Sequence, residues 1–327
     1  TLKVAAGYSI SIIGGHWVVS NGTTTDTLSG IDQVVIGTQT YELVDKFGPN
    51  GGFQSLQTAI DNSSSGATIL VAPGTYTESA DYNPNTNTDD PNFTNPVGLL
   101  VDTSVTIEGV DASGNVITSA ANTKATIVSS VESDWGTNFY ITAAGVTISG
   151  LTLQATDNTY VGPGPLQNQG IVNKAVEDVA NDFTLENSVV DAANGVPLGS
   201  SVYIDDPNAT TSPSFVSSIT QYNVTNNVLD GDFVESSGVG FGDNPAGLSL
   251  NLTNNEFSLN PGTTADTYAQ EDGGFANDSV ILNGNLYPEV GWDLASVATP
   301  TITGNTVDAS YTESPTGSRF FAADNSA

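Results

Sequence analysis

From Val105 onward the chain repeats an eight-residue alternation of apolar and polar positions. Val105-Thr106-Ile107-Glu108-Gly109-Val110-Asp111-Ala112 is followed by copies that begin at Val146, Phe183, Tyr222, Leu250, Val280 and Pro300. The third position is Ile, Leu or Val in every copy, apolar residues prevail at the first and eighth, and the second and fourth are mainly polar. Alternation with period two is the pattern of strands with one buried face. The fifth position is always Gly or Asn, the residue types that most readily take a left-handed backbone conformation. The pattern therefore predicts two short strands joined by a one-residue bend, seven times over. In the last four copies the sixth position is also Asn, which predicts side-chain amides stacked from one copy onto the next.

Strand, bend and strand, separated by insertions of unequal length, predict an all-β fold, a right-handed parallel β-helix. One such unit cannot bury its apolar face alone, whereas stacked units share a continuous core. The ends of such a stack need covering. Phe53, Leu56 and Ile60 fall on one face of a short amphipathic helix over 53–61, which is expected to plug the amino-terminal end. Ala67 to Val71 then reads as a strand, and Pro73-Gly74-Thr75-Tyr76 as a turn into the next. Before the helix, Tyr8 to Ile13, His16 to Val19, Gln33 to Ile36 and Thr40 to Val44 read as short strands between Gly and Asn turns. The organisation expected is a small β segment or cap over 1–45, the β-helix over 46–311 and a loosely ordered polar tail over 312–327.

Charge narrows the partners. Thirty-six acidic side chains stand against five basic ones, a formal net charge of -31 over 327 residues. Nucleic-acid binding relies on Lys and Arg neutralising phosphates, and only Lys3, Lys46, Lys124, Lys174 and Arg319 are present, so nucleic acid is excluded as an expected partner. No run approaches the roughly 18 apolar residues that span a bilayer. With no Cys there are no disulfides and no thiolate chemistry. With no Met and no leader-like segment, the chain reads as a processed product or a piece of something longer.

Two segments resemble known families. Gly52-Phe53-Gln54-Ser55-Leu56-Gln57-Thr58-Ala59-Ile60-Asp61, followed by the run from Gly66 to Glu78, is similar to the opening segment of parallel β-helix proteins of the pectin-lyase-like superfamily, with Ala67 where that family often carries Asp. Asp26-Thr27-Leu28-Ser29-Gly30-Ile31-Asp32-Gln33-Val34-Val35-Ile36 resembles segments of large, secreted, calcium-binding bacterial repeat exoproteins and surface-layer proteins. The resemblance implies a β-helix and an extracellular or cell-surface location in bacteria. It implies no particular activity, because the superfamily hosts lyases, esterases, hydrolases, epimerases, adhesins and surface-layer proteins.

Candidate chemistry follows from the excess acid. Uronan lyases of this class use an Arg or Lys base, and only Lys124 and Lys174, both expected in loops, lie within the repeats. The single His, His16, precedes the helix and reads as a strand or turn residue rather than a ligand. No catalytic residue is assigned. Asp205, Asp206, Asp230, Asp232, Glu235 and Asp243, with Tyr203, Phe233 and Phe241 nearby, offer carboxylates and aromatic platforms of the kind a glycosidase needs.

Cation binding uses the acid more directly. Asp81, Asn83, Asn85, Asn87 and Asp89 alternate oxygen ligands at the spacing of a calcium loop, with Asp90 beside them, although Thr86 stands where such a loop needs Gly and Asn92 where it needs a bidentate Glu. A looser Ca²⁺ loop and a polar insertion without metal are both compatible with this stretch. Asp230 and Asp232 are the second candidate pair. Asn223-Val224-Thr225 and Asn251-Leu252-Thr253 have the form of glycosylation sequons but coincide with the repeat, which favours a structural role.

The expectation is a non-catalytic extracellular bacterial surface protein, a surface-layer, filament or adhesin component that folds or assembles with Ca²⁺. Its partners would be itself, other surface proteins or cell-surface polysaccharide. The alternative is an extracellular polysaccharide hydrolase or lyase acting on the lateral strand face.

Overall fold

A computed structural model describes residues 1–46, 51–80, 97–129, 137–154, 174–178, 180–191, 200–204, 221–230, 234–236, 249–258, 280–282, 285–287, 301–304 and 306–307. The alternation of the amino-terminal residues produces six strands. These are β1 (Leu2–Val4), β2 (Ser9–Ile13), β3 (His16–Ser20), β4 (Thr25–Thr27), β5 (Gln33–Ile36) and β6 (Gln39–Val44). β2, β3 and β4 form an antiparallel sheet; β2 turns into β3 through Gly14 and Gly15, both at positive φ (61° and 80°), the geometry a tight two-residue hairpin demands. His16 is the first residue of β3, paired across from Ile13.

The one α-helix among the described residues, α1 (Leu56–Asn62), starts later than its apolar periodicity predicts. Ser55 ends the extended stretch: its side chain accepts from the Thr58 amide and fixes the first turn. Phe53 instead forms a parallel bridge with Val44 and packs partly buried against the core. A buried carboxylate at the end of the strand Gly74–Glu78 completes the cap, since Glu78 accepts from Leu56 N at 2.8 Å and from Ser55 Oγ at 2.8 Å. Leu56, Ala59 and Ile60 are fully buried in the main core.

Beyond α1 the chain visits three sheets in a fixed order. β7 (Ala67–Val71) joins the first, β8 (Gly74–Glu78) the second and β9 (Val97–Val101) the third. The circuit repeats with β10 (Val105–Gly109), β11 (Ala125–Ser129) and β12 (Thr137–Ile141), and again with β13 (Thr147–Ser149), β14 (Leu151–Gln154) and β15 (Lys174–Asp178). Next come β16 (Phe183–Glu186), β17 (Val189–Asp191) and β18 (Ser200–Ile204), then β19 (Gln221–Thr225), β20 (Val228–Asp230) and β21 (Val234–Ser236). β22 (Ser249–Thr253) and β23 (Glu256–Ser258) continue the first and second sheets, as do β26 (Thr301–Thr303) and β27 (Thr306–Val307) after the intervening β24 (Val280–Leu282) and β25 (Asn285–Tyr287). Pairing between successive circuits is parallel throughout.

Register follows the repeat. The third positions form one row across the first sheet, Ile69, Ile107, Ile148, Leu185, Val224, Leu252 and Ile302, and the first five of these are completely buried. Each such side chain removed from water contributes roughly 1.5–3 kcal/mol, so the row is a principal source of stability. The bend residues Gly150, Asn187, Asn226, Asn254 and Gly304 all have φ between 53° and 72°.

The sixth-position ladder is present inside the bends at Asn227 and Asn255, whereas Asn285 lies in an antiparallel pair and Asn305 outside the described residues. Asn227 Oδ1 accepts from Ser188 N at 2.9 Å, Asn227 Nδ2 donates to Leu185 O at 3.0 Å, and Asn255 Nδ2 donates to Val224 O at 2.8 Å. Ser188 takes the same place one circuit earlier, its Oγ accepting from Leu151 N.

Two copies of the repeat depart from this scheme. Gly109 ends β10 without a left-handed bend; Asp111, expected to continue a strand, instead accepts from the amides of Ser113 and Asn115 and closes a turn. A hydrogen bond from the Asn115 side chain, and then those from the two amides, hold the Asp111 carboxyl below the usual carboxylate range. Glycine at 109 serves close packing, since a Cβ there would strike the Gly150 carbonyl oxygen. The copy at Val280 forms an isolated antiparallel pair, β24 with β25, and Asn283-Gly284 between the two strands is a strong hairpin sequence.

The amino-terminal segment both prolongs the first sheet and packs on it. β6 runs parallel to β7, so that β1, β5 and β6 extend the ten-stranded sheet. On the opposite face of β7, Leu70 and Ala72 join Val110, Trp17, Val19, Leu28, Val34 and Leu43 in a second buried cluster. The β2 hairpin rests on the Asp111 turn, with Ile12 N donating to Ser113 O at 2.9 Å.

Candidate functional site

The outward positions of the first sheet form two rows, polar from Thr106 and Glu108 onward. One carries Thr68, Thr106, Thr147, Thr184, Asn223, Asn251 and Thr301 in register. Its amides link neighbouring strands, Asn223 Nδ2 donating to Thr184 Oγ1 at 3.2 Å and Asn251 Nδ2 to Asn223 Oδ1 at 3.4 Å, the structural use of both sequon asparagines. The other row carries Leu70, Glu108, Ser149, Glu186, Thr225, Thr253 and Thr303.

Within that second row two carboxylates flank a serine. Glu108 and Glu186 stand two strand spacings apart, about 9.5 Å along the sheet, and both are half-buried. Ser149 between them is only 2% exposed and accepts from Asn187 Nδ2 at 3.4 Å. Burial, and then the neighbouring charge of Glu186, push the Glu108 carboxyl above the usual glutamate range. Repetition of the strands, not proximity in the chain, brings these two acids together. The signal was available in the sequence, because both occupy the fourth position of aligned copies.

The residues singled out by motif are distributed differently. Asp81, Asn83, Asn85, Asn87, Asp89, Asp90 and Asp232 lie outside the described residues, as do Asp205, Asp206, Phe233, Phe241 and Asp243. Asp230 closes β20, in register with Ser258. Glu235 and Tyr203 are brought together on the third sheet, in a register row that runs Leu100, Tyr140, Glu177, Tyr203 and Glu235. Lys174, expected in a loop, is the first residue of β15, because the third sheet extends to it in register with Thr137 and Ser200. Among the described residues no group of three or more His, Asp or Glu side chains is gathered closely enough to hold a metal ion. No described helix is long and apolar enough to cross a membrane.

A separate buried acid lies on the amino-terminal extension. Glu42 on β6 is 0% exposed; its Oε1 accepts from Gln33 Nε2 at 2.6 Å, and its Oε2 is buried without a hydrogen-bond partner. No protein-family model, curated protein or solved structure matches the chain.

Proposed function

We propose that the chain is a right-handed parallel β-helix serving as the rigid scaffold of an extracellular bacterial surface protein, assembled with Ca²⁺ and without catalytic activity of its own. The observation that carries the reading is the fixed circuit through three parallel sheets, with in-register rows that repeat at every circuit. Parallel crossovers are right-handed in nearly all proteins, which gives the hand. A net charge of -31 on such a stack opposes its own compaction, and divalent cations relieve that repulsion. Adding Ca²⁺ to chelated protein is expected to raise the melting temperature and to drive concentration-dependent assembly, read by calorimetry and light scattering. No shift in melting temperature together with no assembly would sink the reading.

A second reading, a polysaccharide hydrolase, is favoured by Glu108 and Glu186. Two carboxyl groups on one lateral face, one of them held above the usual range, match the acid and base of an inverting glycosidase, whose carboxyls stand about 6.5–9.5 Å apart. Release of reducing ends from a bacterial or plant glycan panel, reduced about a hundredfold or more in Glu108→Gln, would establish it. Silence across the panel rules it out.

A further inference from the structure

We propose that Glu42 is an acid-favoured latch that fastens the amino-terminal β segment onto the first strand of the circuit. The position is structural. Glu42 lies on β6 between two pairings, antiparallel to β5 through Gln33 and parallel to β7 through Ile69. Ile69 belongs to the main core, so the carboxyl faces the apolar end of the stack and not solvent. Gln33 is itself held by Thr1 Oγ1, which donates to Gln33 Oε1 at 2.7 Å, so one chain of hydrogen bonds ties Thr1, β5 and β6 at Glu42. β6 in turn occupies the hydrogen-bonding edge of β7 that would otherwise be open.

The charged groups around it do not compensate an ionised Glu42. β5 begins beside Asp32, which adds repulsion. β1 contributes Lys3, whose side chain is exposed; β7 contains no titratable residue; and α1 contributes only Asp61, which is exposed and accepts from Gln57. Burial without a cationic partner disfavours the charged form. With the closed-state carboxyl titrating above its value in the open chain, docking is strongest below the ordinary glutamate range and weakens as pH rises through the closed-state value.

The test is hydrogen exchange on the full chain across a pH series, with each rate divided by its intrinsic rate. In the wild type, protection of the β5 and β6 amides should fall by up to tenfold per pH unit from the ordinary glutamate range up to the Glu42 midpoint and level off above it, while amides of β13 and β16 keep their protection. In Glu42→Gln, which retains shape and hydrogen-bonding capacity without charge, the β5–β6 protection should stay level with pH. Equal pH slopes in the two proteins would overturn the proposal. A carboxyl ¹³C titration of the wild type reads it independently of how the variant folds: a Glu42 midpoint within the ordinary glutamate range also overturns it.

Discussion

Asn227→Leu is expected to cost about 3–5 kcal/mol, the largest loss from any single polar side chain in the described structure. Leucine keeps the branching of asparagine at Cγ but is larger and carries no polar atom, so the effect combines the lost hydrogen bonds with overpacking. Asn227 is 1% exposed; its Oδ1 serves the Ser188 amide, and its Nδ2 serves both Leu185 O and Asn255 Oδ1. The substitution leaves a buried N–H and a buried C=O unpaired, at about 1–3 kcal/mol each, and breaks the amide chain to the next circuit. Against a typical net stability of about 5–15 kcal/mol, this is a large fraction. Urea unfolding followed by far-UV circular dichroism should show the midpoint falling with little change in slope. A loss below about 1 kcal/mol would mean that the ladder is ornamental and that the apolar rows alone hold the bends.

Gly109→Ala is the second large effect, expected at about 3 kcal/mol or more. No unusual dihedral is involved at this residue; the constraint is a neighbouring strand. A Cβ at 109 would meet the Gly150 carbonyl oxygen, lie 2.8 Å from the Gly150 carbonyl carbon and 3.1 Å from Leu151 Cδ2. Backbone on the contact side cannot swing away as a flexible side chain could, so β10 and β13 must separate locally. Overpacking of this kind costs about 1–3 kcal/mol even where side chains can yield. Gly150 is hemmed in from its other side, a Cβ there falling 2.9 Å from Ile117 Cβ, so it has little room to move. Thermal unfolding of the variant checks this, and a melting temperature equal to wild type would show that the two strands sit further apart than described.

Both effects trace to positions that the repeat marks out, and they show how far the sequence carries. The apolar third position, the left-handed fifth and the Asn sixth were all legible, because each is imposed by local geometry that recurs: strand alternation, a bend and an amide that fits inside it. Gly109 was legible as a fifth-position bend of the repeat and serves packing instead. Nothing local distinguishes a glycine required by its own φ from one required by a neighbour 41 residues later in the chain. The Val280 copy was likewise indistinguishable by alternation from its relatives, since period two describes a hairpin arm as well as a strand of a parallel stack. Motif spacing singled out the acids at 81–90, whereas Glu108 and Glu186, which the described structure sets in one row on either side of Ser149, are linked by register.

The sequence by itself determined that this protein is built of short alternating strands with Gly and Asn bends, that the bends carry stacked amides, and that a short amphipathic helix lies near 53–61, which the structure starts at Leu56. It also determined the charge that any assembly must accommodate. Only the tertiary structure decided the order in which the strands distribute among three sheets, the partial burial of Glu108 and Glu186 and the full burial of Glu42. The physical reason is the range of the interactions. Alternation, bends and caps depend on neighbours within a few residues, whereas burial and register depend on which strands, dozens of residues apart, share their hydrogen bonds.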